Sequence, residues 1–128
     1  GAEPSDRHAS LLKQMQENMQ DLGPAQALSI AQMFERELPQ SLARMGAALE
    51  TQDFAVLAKE AHRAKGAAAT FGQQDLASLL ANLEARAGDG DRTGATGHLD
   101  ALNRLAPQIL EALAEVLRVC EDVSSKGP

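Results

Sequence analysis

The sequence predicts an all-α fold, an up-down antiparallel four-helix bundle with an additional short N-terminal helix. Alanine and leucine dominate the apolar residues and are strong helix formers, whereas the β-branched residues that favour strands are sparse. Apolar residues recur at intervals of three and four positions along most of the chain, which is the spacing of one helix face. Glycine, proline and short polar stretches separate these segments, and helices joined by short loops are usually antiparallel neighbours.

The chain is expected to form one domain, since its 128 residues suit a single core. Residues 1–4 are predicted to be a disordered N-terminus or a tag scar, and residues 123–128 a flexible tail. Residues 5–122 are the predicted helical domain, with the bundle core at about 24–122.

The short N-terminal helix is predicted from an apolar pattern and is expected to pack across one end of the bundle. The residues of that pattern are Leu11, Leu12, Met15 and Met19. The second helix begins at Gly23-Pro24, because proline suits the first helical turn, and carries apolar residues as far as Leu49. Pro39 lies inside this pattern and is expected to kink or split the helix. Met33 is expected to fill the core.

The third helix follows a turn at residues 51–53, of which one residue is expected to cap it. Its core stripe alternates steps of three and four, as in a helix packed nearly parallel to its neighbours. The stripe consists of Phe54, Leu57, Ala61, Ala64, Ala68 and Phe71. Gly72 is expected to end this helix, and a loop between the fourth and last helices is predicted from Gly88 to Gly94. A bend is expected in the last helix at Pro107.

The composition excludes several classes of function. A formal net charge of -6 argues against nucleic-acid binding, because phosphate backbones require clustered Lys and Arg. No apolar run reaches the roughly 20 residues that span a bilayer and no signal peptide is visible, so no membrane contact is expected. Cys120 is the single cysteine, which favours a reducing cytosol and hence a cytoplasmic location. A monomer is expected.

The stretch AHRAKGAAATFG at residues 61–72 places one histidine, one lysine and two glycines in a run of alanine. Glycine inside a helix costs about 1 kcal/mol relative to alanine, so a glycine here needs a reason. His62 lies off the core stripe and is expected to face solvent or the edge of the bundle. Its neighbours one turn away are small or basic, namely Ala58, Lys59, Lys65 and Gly66, with Ala55 and Ala69 extending the same strip. A strip without bulk allows another surface to approach the imidazole closely.

These residue types suit phosphoryl transfer. A neutral imidazole attacks phosphorus through its unprotonated ring nitrogen, and Lys65 can offset charge on the phosphoryl oxygens. A hydrogen-bond acceptor at the other ring nitrogen would fix that tautomer. Glu84 is the candidate acceptor, because it flanks the seam between the third and fourth helices; Gln73 and Gln74 are weaker candidates.

The motif AHRAKGAAATFG, followed by LASLLANLE, resembles a histidine-containing phosphotransfer (HPt) domain. The family pattern is a histidine, usually a leucine two positions on, a lysine three on, a glycine four on and a second glycine ten on. The matching residues are His62, Lys65, Gly66 and Gly72. Ala64 stands where leucine is common, and the resemblance covers residues 24–120.

The resemblance implies that His62 accepts a phosphoryl group from an aspartyl phosphate on a response-regulator receiver domain and passes it to another receiver. The related kinase-attached form, the P1 domain of chemotaxis kinases, is phosphorylated by an ATP-binding kinase domain instead, and TFG at residues 70–72 resembles that form. In that form a glutamate on the next helix bonds the histidine ring, and Glu84 matches its position. Receivers bring their own Mg²⁺, so this chain is expected to bind no metal or other cofactor.

The implied docking face for a receiver or a sensor kinase consists of Ala58, Lys59, Arg63, Gly66 and Ala69. Gly66 has an alternative explanation, the close packing of two helices. A di-metal bundle is disfavoured, because Lys59 occupies the position three before His62 where such a site places glutamate. A structural dimerisation module fits the leucine seams but leaves the glycine beside His62 unexplained. Catalytic motifs are absent, so the chain is expected to be a phosphoacceptor, alone or within a hybrid kinase, and not an enzyme.

Overall fold

The computed structural model describes residues 13, 17, 20, 23–70 and 73–125, and within these residues the chain is helical with no strand. The helices are α1 (Pro24–Glu50), α2 (Phe54–Thr70), α3 (Gln74–Gly88) and α4 (Arg92–Ser125). Each helix packs against the next one in the chain, and α4 also packs against α1, which closes a four-helix bundle. The all-α prediction is confirmed. The short helix predicted from Leu11, Leu12, Met15 and Met19 lies outside the described residues.

The turn between α1 and α2 closes through backbone hydrogen bonds. The N–H of Gln52 donates to the carbonyl of Leu49 at 3.1 Å, and the N–H of Asp53 donates to the carbonyl of Ala48 at 2.8 Å. This pattern requires one left-handed residue, which is Gln52 with a φ of 58°. Asp53 then caps α2, because its Oδ1 accepts the N–H of Val56 at 3.2 Å.

The turn between α3 and α4 has the same construction and is shorter than the loop predicted from Gly88 to Gly94. Gly90 takes the left-handed conformation, with a φ of 67°. Asp91 caps α4 and accepts the N–H of Gly94 through Oδ1 at 2.9 Å, so Gly94 belongs to the helix. The predicted loop is too long because the prediction relied on the glycines of this stretch. Glycine content does not show that the side chain of Asp91 accepts the N–H of Gly94 and so starts the helix before it.

The two prolines do not interrupt their helices. Pro39 lies inside α1 and Pro107 inside α4, and both helices continue through them. The split expected at Pro39 is therefore not observed. Both prolines are exposed, so the ring and the lost N–H lie on the solvent side, while the apolar stripes before and after each proline stay in register. α4 continues to Ser125, three residues beyond the predicted end of the domain at residue 122.

The core is built from all four helices, and α2 contributes mainly small side chains to it. Its buried residues are Leu57, Ala61 and Ala68. Phe54 and Ala64 are only partly buried, and Phe71 and Gly72 lie outside the described residues. The prediction for Met33 is wrong, since this side chain is 53 % exposed and its neighbour Phe34 takes the buried position. None of the described helices is both long and apolar enough to cross a membrane.

Candidate functional site

His62 projects from α2 into solvent. Its neighbour Ala61 is fully buried, so the next position along the helix is turned out of the core. The imidazole side chain is 67 % exposed. The predicted orientation of His62 is confirmed, and the ring is accessible to a second molecule.

Glu84 holds one edge of the imidazole. It lies on α3 beside the buried Leu83, at the rim of the seam with α2. Glu84 Oε2 is 2.9 Å from His62 Nδ1. An ionised carboxylate can only accept a hydrogen bond, so Nδ1 carries the proton and donates it to Glu84. In the neutral ring, Nε2 then keeps its lone pair, on a side chain that is mostly exposed.

Lys65 binds the second oxygen of the same carboxylate. Its Nζ donates to Glu84 Oε1 at 2.8 Å, and about a third of both side chains is exposed. The pKa of Glu84 is held below its ordinary value of 4.5, chiefly by the hydrogen bond from Lys65; partial burial opposes this shift and the hydrogen bond from His62 adds to it. Glu84 therefore remains an acceptor at neutral pH, with one oxygen for each partner.

The strip around His62 is open. Gly66 is exposed, and a Cβ placed on it would meet no described atom outside its own helix within 4 Å. Close helix packing therefore does not account for this glycine. Lys59 and Ala69 are exposed as well, and Ala58 is partly buried against the core. These four residues and His62 form an uncrowded surface on α2, which we call the acceptor strip.

Arg63 lies on a different flank of α2 from the acceptor strip. Its Nη2 donates to Oε1 of Glu60 at 2.9 Å, on the side that faces α1. The same oxygen accepts hydrogen bonds from Ser41 and Arg44 of α1. Sequence reasoning missed this cluster around Glu60. The available signal was the position of Glu60 on α2, one residue before the core residue Ala61 and next to the seam with α1.

The glutamines proposed as weaker partners of the imidazole do not reach it. Gln73 is buried and Gln74 is exposed, and within the described residues neither forms a hydrogen bond with His62. Glu84 is the candidate whose contact is observed.

A groove between α1 and α2 runs beside Arg63. It has a volume of about 370 Å³ and an apolar floor. Its lining residues are Met33, Phe34, Glu37, Leu38, Ser41, Arg63, Ala64 and Ala67. Sequence reasoning missed this groove because it assigned Met33 to the core. The stripe of α1 passes through Ala31, Phe34 and Leu38 in steps of three and four, and Met33 falls outside that series.

Metal ligands are not grouped in the part of the chain that the structure describes. Within it, no three side chains of His, Cys, Asp or Glu lie close enough together to hold a metal ion.

The comparison with known families gives one match. A family model described as "Hpt domain" matches residues 29–120. The matched span contains α2 and α3 entire and most of α1 and α4. No curated protein and no solved structure matches the chain.

Proposed function

Because this chain belongs to the Hpt domain family, whose members are histidine phosphotransfer intermediates of two-component systems, we propose that His62 is its phosphoacceptor. It takes a phosphoryl group from an aspartyl phosphate on a receiver domain and passes it to another receiver. The observation that supports this most directly is the geometry of His62: an exposed ring with Nδ1 on Glu84 and a free Nε2.

The transfer needs no proton acceptor on this chain. The lone pair of Nε2 forms a bond to phosphorus while the bond from phosphorus to the aspartyl oxygen breaks, and the aspartate leaves as a carboxylate. The ring becomes a cation that keeps its Nδ1 proton. The anionic Glu84, 2.9 Å from Nδ1, stabilises this cation. The reverse sequence delivers the phosphoryl group to the next receiver.

Lys65 supplies positive charge next to the acceptor. In the unphosphorylated chain its ammonium is bound to Glu84. The lysine stem is flexible, so the ammonium can also interact with the oxygens of a phosphoryl group on Nε2. The Mg²⁺ that assists the transfer belongs to the receiver in this proposal, and this chain acts as substrate and relay.

The receiver docks on the acceptor strip and extends over the α1–α2 groove. Both surfaces lie partly on α2: the acceptor strip is on one flank of this helix, and Arg63, Ala64 and Ala67 line the groove on another. Lys59 and Arg63 place positive charge here on a chain whose formal net charge is -6, which suits a partner with an acidic phosphorylation site. The half-exposed Met33 adds an apolar contact at the groove.

A second candidate donor is an ATP-binding kinase domain, as in the P1 domains of chemotaxis kinases. The hydrogen bond between Glu84 and His62 favours this candidate, since the notable feature of that form is a glutamate on the ring. The two candidates are separated by presenting the chain with a phosphorylated receiver or with a sensor kinase and ATP. A structural dimerisation module is the remaining alternative, and a monomeric solution mass would contradict it.

We propose a cytoplasmic location for the chain, because a single cysteine favours a reducing compartment.

Labelling with a radioactive phosphoryl donor tests the function. A phosphorylated receiver or a cognate kinase should label the chain, and the label should be lost in acid and retained in base, as expected for a phosphoramidate bond. His62→Gln should abolish the label while the helical content by circular dichroism is unchanged. Labelling of the His62→Gln variant at the normal level would reject the assignment.

A further inference from the structure

We propose that Glu60 is a positioning residue for the acceptor: it fastens α2 to α1 and so holds His62 in register with Glu84. The consequence for transfer rests on the proposed function of His62, whereas the consequence for the geometry of the ring does not. Glu60 acts on the imidazole through the position of α2 and not through a direct contact with the ring.

One oxygen of Glu60 collects the hydrogen bonds that join the two helices. Its Oε1 accepts hydrogen bonds from Ser41 Oγ at 2.8 Å and from Arg44 Nε at 2.9 Å, and Arg44 Nη2 lies 2.8 Å from the same oxygen in an ion pair. The Glu60 side chain is only 13 % exposed and Ser41 is buried. The third donor, Arg63, lies on α2 itself, so its bond does not cross between helices. The cross-link therefore consists of Ser41 and Arg44 on one side and Glu60 on the other.

The packing of α2 explains why its orientation needs such a cross-link. Two of its three fully packed core residues are alanines, Ala61 and Ala68, and the third is Leu57. A methyl group makes far fewer dispersion contacts than a leucine side chain and does not interlock with a neighbouring helix. Phe54, Ala58 and Ala64 add partly buried contacts, but the one large side chain among them, Phe54, lies at the first residue of the helix. The apolar seam near His62 thus resists a small rotation of α2 about its axis only weakly.

Polar contacts hold the two flanks of α2. Glu60 and His62 are two positions apart, roughly 200° around a helix of 3.6 residues per turn, so they emerge on opposite sides. On one side Glu60 joins α2 to α1, and on the other His62 and Lys65 join it to Glu84 of α3. If α2 rotates after the Glu60 contacts are lost, His62 moves away from Glu84, because His62 and Glu60 belong to the same rigid helix.

The charge of Glu60 is secured by its donors. Burial acts to raise the pKa of Glu60, but the hydrogen bonds from Arg44, Ser41 and Arg63 outweigh it and keep the pKa below its ordinary value. The carboxylate is therefore ionised at neutral pH, where hydrogen bonds to a charged acceptor are stronger than neutral ones.

The tautomer of His62 reports the effect without any partner protein. A ring bound to Glu84 carries its proton on Nδ1, whereas a neutral imidazole released into water has no such constraint and places the proton mainly on Nε2. Nitrogen-15 chemical shifts of the ring distinguish these two forms. Glu60→Ala should lower the Nδ1–H fraction of His62. Glu60→Gln, which retains an oxygen acceptor, should restore part of that fraction, and Glu35→Ala, at an exposed carboxylate of α1, should change nothing.

The same variants are labelled with phosphoramidate, a small donor that needs no docking surface. The imidazole Nε2 bonds to phosphorus as the donor's own nitrogen–phosphorus bond breaks and ammonia leaves. Glu60→Ala should label about threefold to tenfold more slowly, short of the hundredfold that a displacement of 1 Å can cause. Glu60→Gln should recover much of the rate.

An unchanged tautomer and labelling rate in folded Glu60→Ala, with reduced stability alone, would overturn the proposal and leave Glu60 as a structural residue. Should Glu60→Ala fail to fold, Ser41→Ala and Arg44→Ala remove the cross-link from α1 and must show the same tautomer shift. If the wild-type chain is not labelled on His62, the proposed function fails, while the nitrogen-15 measurement still decides the role of Glu60.

Discussion

His62 Nδ1 lies 2.9 Å from Glu84 Oε2, across the seam between two helices and 22 positions along the chain. Through this contact, α3 decides which nitrogen of a residue on α2 keeps its proton. The second oxygen of Glu84 binds Lys65, so one carboxylate both orients the imidazole of His62 and holds the ammonium of Lys65.

Removing Glu84 should slow phosphorylation of His62. Glu84→Ala removes the group that fixes the ring tautomer and the anion that stabilises the cationic phosphorylated ring. We therefore expect labelling by phosphoramidate to fall about 10- to 100-fold, the loss typical of carboxylates that orient metal-binding histidines. Glu111→Ala, at an exposed carboxylate of α4, is the matched control. Equal labelling rates in the two variants would contradict an orienting role for Glu84.

Removing Lys65 should raise the pKa of Glu84 toward 4.5, because the hydrogen bond from Lys65 is the largest cause of its depression. The carboxyl carbon resonance of Glu84, followed by nuclear magnetic resonance during an acid titration, measures the shift in Lys65→Ala. Lys59→Ala removes an exposed ammonium from the same helix and should leave the pKa of Glu84 where it is. A pKa of Glu84 that does not respond to Lys65→Ala would show that the two side chains are not paired in solution.

Adding bulk at Gly66 should block transfer from a receiver without unfolding the chain. A Cβ at this position meets open space, and leucine is a better helix former than glycine by about 0.8 kcal/mol, so Gly66→Leu should be at least as stable as the wild type. The matched control is Gly97→Leu, at an exposed glycine of α4 that is equally uncrowded. Normal transfer to Gly66→Leu from a phosphorylated receiver would place the docking site elsewhere.

A negative charge in the α1–α2 groove should weaken receiver docking and leave the phosphoryl transfer to His62 unchanged. Met33→Asp puts a carboxylate on its apolar edge, and we expect KM for a phosphorylated receiver to rise about tenfold, the equivalent of 1.4 kcal/mol. Labelling by phosphoramidate should not change. Val56→Asp alters another exposed apolar residue, outside the groove, and serves as the control. An unaltered KM in Met33→Asp would exclude the groove from the interface.

Acid should destabilise the bundle through Glu60 and Glu84. Both carboxyls have pKa values below the ordinary 4.5 in the folded chain, so their stabilisation is fully present above about 4.5 and is lost as the pH falls through their lower folded values. Urea unfolding at a series of pH values measures this loss. Glu60→Gln should flatten the dependence below 4.5, and a curve that is as steep as that of the wild type would contradict the contribution of Glu60.

The local features of the site could be predicted from the sequence because they depend on residues close together in the chain. The steps of three and four through Leu57, Ala61 and Ala68 place His62 off the core stripe, and its exposure follows. Glu84 emerged as a candidate from its position on the seam. Arg63 was expected on the docking face, but its guanidinium binds Glu60 on the other flank, since helix periodicity gives a direction to a Cβ and not to the end of a long side chain.

The helices, the family pattern and the outward direction of His62 could be predicted without a structure, because each rests on spacing within one helix. Which side chains share a carboxylate follows from the packing of the helices and could not be predicted in this way. The contacts of Glu84 with His62 and Lys65, and of Glu60 with Ser41, join positions 19 to 22 residues apart on different helices. Such contacts depend on how the helices are rotated and shifted against one another, and hydrogen bonds form only within a few tenths of an ångström of the right distance.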